Sequence, residues 1–326
     1  MTTYLIRRLL QSIPTMLGIT VLSFFMMQAA PADPVDLMTF APGTKVEDKI
    51  ALAESLCLDR SPVEQYFVWM FGSANCKTNG IIRGDFGQSF RNRQPVIDLI
   101  LERIPATLEL TVWAMVIGVT IGLLIGVLSA VLHRSMFDNL ARFFSVVGDA
   151  IPAFWLGLML ILLFAVQLGW LPAGGRIPLR DNDITIFDRA KHLILPSFVL
   201  AISWIAVMSR YMRAETLEVI RREYVRTAKA KGLSSRQVYF KHAARNALIP
   251  IVTFLGPGIL GLIGGAVVIE QIFSWPGIGR LTLSAVTALD YPLVMGGVIF
   301  GALLVIAGNL LSDFLLVLVD PRIRLE

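Results

Sequence analysis

Six stretches of this 326-residue chain are apolar over twenty residues or more: Leu9–Ala30, Ala106–Leu132, Phe143–Leu168, Leu193–Met212, Leu248–Ile269 and Leu293–Val319. The hydrocarbon core of a bilayer is about 30 Å thick, and roughly 20 helical residues cross it. An unpaired peptide group in lipid costs several kcal/mol, so each stretch is predicted to be helical. A soluble protein would need polar chain to wrap six such helices. The composition does not supply it: 55% of the residues are hydrophobic and 16% charged, against about 25% charged in ordinary soluble domains. The expected fold class is all-α: a polytopic membrane protein with six transmembrane helices, a single domain over residues 1–326. The first span follows Arg7 and Arg8, as a secretory signal would. Its apolar run exceeds the usual length of roughly 7–15 residues, and Ala29-Ala30 leads into Pro31, so it is read as an uncleaved helix.

Lys and Arg are retained on the cytoplasmic side of short loops, which sets the orientation. The N-terminus, the connection after the second span, the stretch after the fourth and the C-terminus carry 16 basic residues; the other side carries 13 over about twice the length. Both termini are therefore expected in the cytoplasm, which agrees with an even number of spans. The largest outer segment is 31–104. It holds the only two cysteines, Cys57 and Cys76, which in an oxidising compartment would close a loop worth roughly 3 kcal/mol in the loop-entropy model. Two free buried thiols are the other reading.

Within the spans, Gly118, Gly122 and Gly126 recur every fourth residue, and Gly258, Gly261, Gly264 and Gly265 follow Pro257. Such spacing keeps the small residues on one face and lets another helix approach closely, so Gly118, Gly122, Gly126, Gly261 and Gly265 are candidate helix-packing positions. Glu109, Asp149 and Asp313 are acids close to or within apolar runs. Intramembrane acids are functional candidates, yet each lies near basic or interfacial sequence, and pairing with an arginine is the simpler expectation. No series of buried acids and histidines suits a proton relay.

Charge concentrates in one place. Ten of the 29 basic residues fall between Arg210 and Arg245, against Glu215, Glu218 and Glu223. Glu218 four residues before Arg222 supports a helix, Gly232 interrupts it, and Ser234–Ala247 reads as a second short helix. A lipid anchor would explain the charge but not Tyr224, Val225, Ala228 and Leu233 interleaved with the bases, which point to a protein contact. Nucleic acid is not expected, because these basic faces lie against phospholipid. There is no phosphate-binding loop, no zinc-protease helix and no nucleophile elbow, and the three histidines sit in different connections. The chain is expected to be no enzyme, with no catalytic residue, no metal site and no cofactor of its own.

The run from Tyr224 to Leu233 (YVRTAKAKGL), continuing through His242 and Asn246 to Pro250, resembles the cytoplasmic coupling loop of the permease subunits of binding-protein-dependent ABC importers, in particular the dipeptide/oligopeptide/nickel group. Arg226 and Thr227 stand where the general signature has Glu and Ala, while Ala228 and Gly232 keep it. The opening from Tyr4 to Leu10, Gly84–Ser89, Gly169–Pro172 and Ile269–Gly279 resemble the first of the two permease partners of that group. The resemblance covers nearly the whole chain and is weakest between Pro42 and Gly80. It implies a type I importer permease fold in the bacterial inner membrane, with a coupling loop over 210–250 in which Tyr224, Ala228, Gly232, Leu233 and Asn246 serve. It implies as partners a homologous second permease, two ATP-binding subunits that carry the ATP and Mg, and an extracytoplasmic solute-binding protein. The cargo expected is peptide, with nickel or another small solute as the alternative. An ion-coupled carrier, a channel or a membrane scaffold would share the six spans but not the coupling loop.

Overall fold

The computed structural model describes residues 2–29, 35, 46–76, 78–178, 185–235, 237–244, 246–248, 251, 255 and 266–319. Among them the regular structure is helical. Its main helices are α1 (Thr2–Gln28), α2 (Val46–Ser55), α3 (Pro62–Phe71), α4 (Val96–Val131), α5 (Met136–Ala150), α6 (Ala153–Leu160), α7 (Ile186–Ile220), α8 (Glu223–Ala230), α9 (Ile278–Thr287) and α10 (Tyr291–Val319). α6 runs on as a π-helix over Ile161–Gln167, and a second π-helical turn covers Gln237–Ala243. Two compact units divide the chain: 2–105 with 277–306, and 106–276 with 307 onward.

In the unit containing 2–105, α1 meets α3 through a hydrogen bond between the Thr20 and Tyr66 hydroxyls (3.0 Å) and through Phe24, whose ring lies 5.4 Å from Tyr66 and 5.6 Å from Trp69. Ser61 caps α3 in a capping box with Glu64, behind Pro62 at the first helical position. The loop after it is held by two carboxylates. Asp85 accepts from the Asn79 and Gly87 backbone N–H groups at 2.8 and 3.0 Å. Asp290 accepts from the Ser89 hydroxyl at 2.5 Å and the Phe90 N–H at 3.0 Å. Val96 and Ile100 at the start of α4 are fully buried against Gly296 of α10, where a Cβ would lie 2.5 Å from a Val96 methyl. Cys57 and Cys76 are joined, with Cα atoms 5.7 Å apart.

The unit containing 106–276 is organised by α4 and α7. Gly118 faces Trp204, Gly122 faces Met208 and Gly126 faces Met212, so the register advances in the same direction on both helices and they run parallel. Two parallel helices need one return crossing between them. α5 and α6 provide it, bent by 101° where they meet. The third apolar run, expected as one span over Phe143–Leu168, is thus broken: Ile151 is extended, and Pro152, which has no N–H to donate, starts a new helix. Four helices, α1, α4, α7 and α10, are individually long and apolar enough to span, and the bent pair makes a fifth. α4 reaches about 54 Å over its 36 residues, beginning at Val96 rather than at the expected Ala106. The remaining run, Leu248–Ile269, falls mostly outside the described residues, and Gly258, Gly261, Gly264 and Gly265 with it.

Both cysteines are buried, and bonded sulfurs are expected to resist maleimide in the denatured, unreduced protein and react after reduction. Cys57→Ser should release the Cys76 thiol to the reagent and lower the melting temperature, since the cross-link contributes roughly 3 kcal/mol.

Candidate functional site

The basic segment folds as a compact turn. α8 buries Val225 and Ala228 against Val238, with Val219 at the end of α7 and Tyr239 packed beside them. Residues 224, 227 and 231 follow one another on the outward face at helical spacing and are exposed. α8 ends at Gly232, whose φ of +76° lies in the left-handed region. The Leu233 N–H bonds back to the Ala228 carbonyl at 3.4 Å, as in a Schellman termination. Ser234 and Gln237 then cap each other reciprocally at 3.3 Å, and the π-helical turn brings Val238 back under α8. Asn246 closes the loop by donating to the Tyr224 hydroxyl at 2.9 Å.

Of the residues singled out for coupling, Tyr224 and Asn246 therefore form a tie, Gly232 makes the turn, and Leu233 is presented at the surface. Ala228 faces inward, where it shapes the turn. Phe240 of the π-helical turn, half-exposed, was not foreseen; an aromatic residue among bases was its only signal. The segment thus exposes three apolar side chains, Tyr224, Leu233 and Phe240, together with Arg221, Arg222, Arg226 and Lys231.

This segment continues α7, and α7 is bound tightly to its neighbours. Along α4, a Cβ on Gly118, Gly122 or Gly126 would lie 2.5, 2.7 or 2.6 Å from the Cβ of Trp204, Met208 or Met212. At α5, the fully buried Asp138 accepts two hydrogen bonds from the Arg213 guanidinium, at 2.7 and 2.8 Å, and others from Ser129 and the Arg134 N–H. Ser145 bonds Ser209 at 2.8 Å, and Arg210 pairs with Asp149 at 2.8 Å. Asp149 is thus a structural partner of an arginine, and Asp313 sits half-buried in α10. Asp138 was not anticipated, because nothing in its sequence setting distinguishes it from a surface acid.

Ten to thirteen residues into α4, four segments converge. Thr107 donates to the fully buried Glu270 at 2.7 Å, and the Trp275 indole donates to the Ala106 carbonyl at 2.8 Å. The Gly175 N–H donates to Phe273 O at 2.7 Å, and His192 Nδ1 donates to the Gly174 and Gly175 carbonyls at 3.0 and 3.1 Å. Arg176 grips Glu109 with Nε and a terminal nitrogen, both at 2.7 Å. Among the described residues no three His, Cys, Asp or Glu side chains gather as a metal site would require.

Residues 122–325 match the family described as the binding-protein-dependent transport system inner membrane component, and residues 1–111 match its N-terminal region. The chain belongs to this family. It is a transport subunit of an ABC importer rather than an enzyme. The chain is 44% identical over 325 residues to the oligopeptide transport system permease protein AppB of Bacillus subtilis, covering 99% of this chain and all of that one. It is 40% identical to the di/tripeptide permease DppB of Pseudomonas aeruginosa and 38% identical to the dipeptide permease DppB of Escherichia coli, each at 99% coverage of both chains. The inward-facing methionine ABC transporter MetNI shares the fold, with a TM-score of 0.53 at 18% identity over 68% of this chain and 96% of that one.

The glycine contacts make a direct prediction. Gly122→Leu forces α4 and α7 apart, and overpacking of this kind costs about 1–3 kcal/mol. The detergent-solubilised protein should melt several degrees lower, whereas Gly18→Leu, at a position with nothing within 4 Å, should leave the melting temperature unchanged.

Proposed function

We propose that this permease moves peptides through the inner membrane as one half of a two-permease conduit, with both termini and the 210–250 segment in the cytoplasm and the 31–104 segment outside. Two ATP-binding subunits, which hold the ATP and Mg, receive the turn formed by α8 and residues 232–246. A solute-binding protein docks outside and delivers the cargo. In that compartment the Cys57–Cys76 pair stays oxidised. The observation that carries this reading is the folded turn itself: apolar tips at Tyr224, Leu233 and Phe240 set among arginines and a lysine, at the end of a span and braced by the Tyr224–Asn246 tie. The peptide permeases at 38–44% identity over the full chain support the cargo.

Mechanically, closure of the ATPase pair would displace the α8 turn, and α7 would carry that displacement to α4 and α5 through the glycine contacts and the Asp138–Arg213 pair. A lever works only if its turn is stiff. A Cβ at Gly232 would meet no neighbour within 4 Å, so a substitution there acts through the positive φ alone, at a cost of roughly 1–2 kcal/mol. In proteoliposomes containing the whole complex and the binding protein, Gly232→Val should keep assembly and ATP hydrolysis while peptide uptake falls several-fold. Gly232→Asn, which tolerates the left-handed region, should retain most uptake. Equal uptake by both variants and wild type would remove the turn from the coupling path. ATP-dependent peptide accumulation by the wild-type complex, absent without the ATPase subunits, separates this reading from an ion-coupled carrier, a channel or a scaffold.

A further inference from the structure

From Tyr66 to Phe71, α3 carries no charged and no amide side chain. Its polar groups are gathered at the other end. Ser61 and Glu64 form the cap, and the Gln65 amide donates to the Leu58 and Arg60 carbonyls at 3.0 and 2.9 Å while accepting from Gln28 at 2.5 Å. Tyr66 and Met70 are buried, and the rings of Tyr66 and Trp69 pack on Phe24 of α1. A second apolar face does not pack on the chain. Val63, Phe67 and Phe71 follow one another at four-residue spacing, each more than half exposed, and the Phe67 and Phe71 rings stack with centroids 6.0 Å apart.

The height of this helix is set by α1. The twenty residues from Arg8 to Gln28 rise about 30 Å, the thickness of the hydrocarbon core. With Arg7 and Arg8 reaching one surface, Gln28 comes to the other, and Phe24 and Thr20 lie below it by about one and two turns. Gln65 meets Gln28, Trp69 meets Phe24, and the Tyr66 hydroxyl reaches Thr20 at 3.0 Å. A phenol at that depth has no water to bond, and Thr20 supplies the partner. α3 therefore lies beside the last turns of a span rather than in the water beyond it.

We propose that α3 is an interfacial helix whose Val63, Phe67 and Phe71 enter the acyl chains of the leaflet at the C-terminal end of α1. Lipid fits this stripe better than a protein does. A protein interface carries a hydrogen bond for roughly every 100–200 Å², and the stripe offers no side chain to make one; acyl chains ask only for apolar area. Tyr66 and Trp69 beside it are the residue types that gather at a membrane boundary. α3 lies within the loop that Cys57 and Cys76 close, so the anchor holds that loop at the membrane surface. The inference needs α1 to be a span and nothing of the cargo or the motor.

Single labels in the complete transporter test this, in proteoliposomes of phosphatidylethanolamine and phosphatidylglycerol with plain or brominated acyl chains. The native cysteines are bonded to each other, so Val63→Cys, Phe67→Cys and Phe71→Cys each offer one thiol to a bimane reagent, and three positions guard against one that misfolds. At an insertion of about 5–10 Å, each label should lose about half its fluorescence in brominated lipid and little to aqueous iodide. Arg60→Cys, at the polar end of the helix, should respond to iodide and not to bromine. Quenching of the stripe labels by iodide instead would put α3 in water and overturn the proposal. Labels insensitive to both quenchers would show that another subunit covers the stripe, and would overturn it as well. Either result leaves the importer reading standing, and a wild-type complex without ATP-dependent uptake would leave the lipid contact standing.

Discussion

Two apolar helices in lipid gain little by leaving it, because lipid tails are as apolar as leucine. The contact between α4 and α7 depends instead on how closely their backbones can approach. Gly118, Gly122 and Gly126 remove three side chains from one face, and the Cβ atoms of Trp204, Met208 and Met212 occupy the space. Because the contact is parallel, the intervening chain must return across the unit before α7 begins. That requirement gives the sharp bend at Ile151-Pro152 its place: α5 lies folded against α7, and α6 makes the crossing. Past α7 the same geometry acts again. Residues 237–243 pack at the end of α7, whereas Glu270 meets Thr107 in the first third of α4.

The polar contacts divide by burial into stiff and compliant joints. Asp138 has no exposure and holds Arg213 through two nitrogens; removing Arg213 takes both bonds from a fully buried carboxylate, a loss of about 3–5 kcal/mol. Arg222 and Glu218 form an exposed pair at the end of α7, and exposed pairs are worth about 1 kcal/mol or less. α5 and the C-terminal half of α7 thus behave as one body, and the α7–α8 junction is held by Val219 packing with Val225 and Val238 rather than by that surface pair.

The sequence made the spans legible because the bilayer is a simple solvent with one length scale, and twenty apolar residues satisfy it wherever they occur. It made the Gly118 series legible because four-residue spacing has one geometric meaning on a helix. It failed where the decisive contact is remote in the chain. Asp138 reads as a surface acid until Arg213, 75 residues on, is brought to it. Glu270 and Thr107 are 163 positions apart. The bend at Pro152 was hidden for another reason: hydropathy averages over a proline, so one apolar run concealed two helices. For the basic segment, its charge pointed to a contact, but which side chains face outward follows from Val225, Ala228 and Val238 turning inward together.

A subunit without chemistry of its own has to receive energy as displacement, and on the reading proposed above this shapes what the α8 turn must provide. Three apolar side chains and a few bases would make a small interface, at the weak end of protein contacts, where burial is below about 1,200 Å². Affinity cannot be its main contribution. Rigidity can: the Schellman turn at Gly232, the reciprocal Ser234–Gln237 caps and the Tyr224–Asn246 tie each remove a soft torsion from the loop. A loop of the same charge without those ties would bind the motor as well and absorb its stroke as local bending.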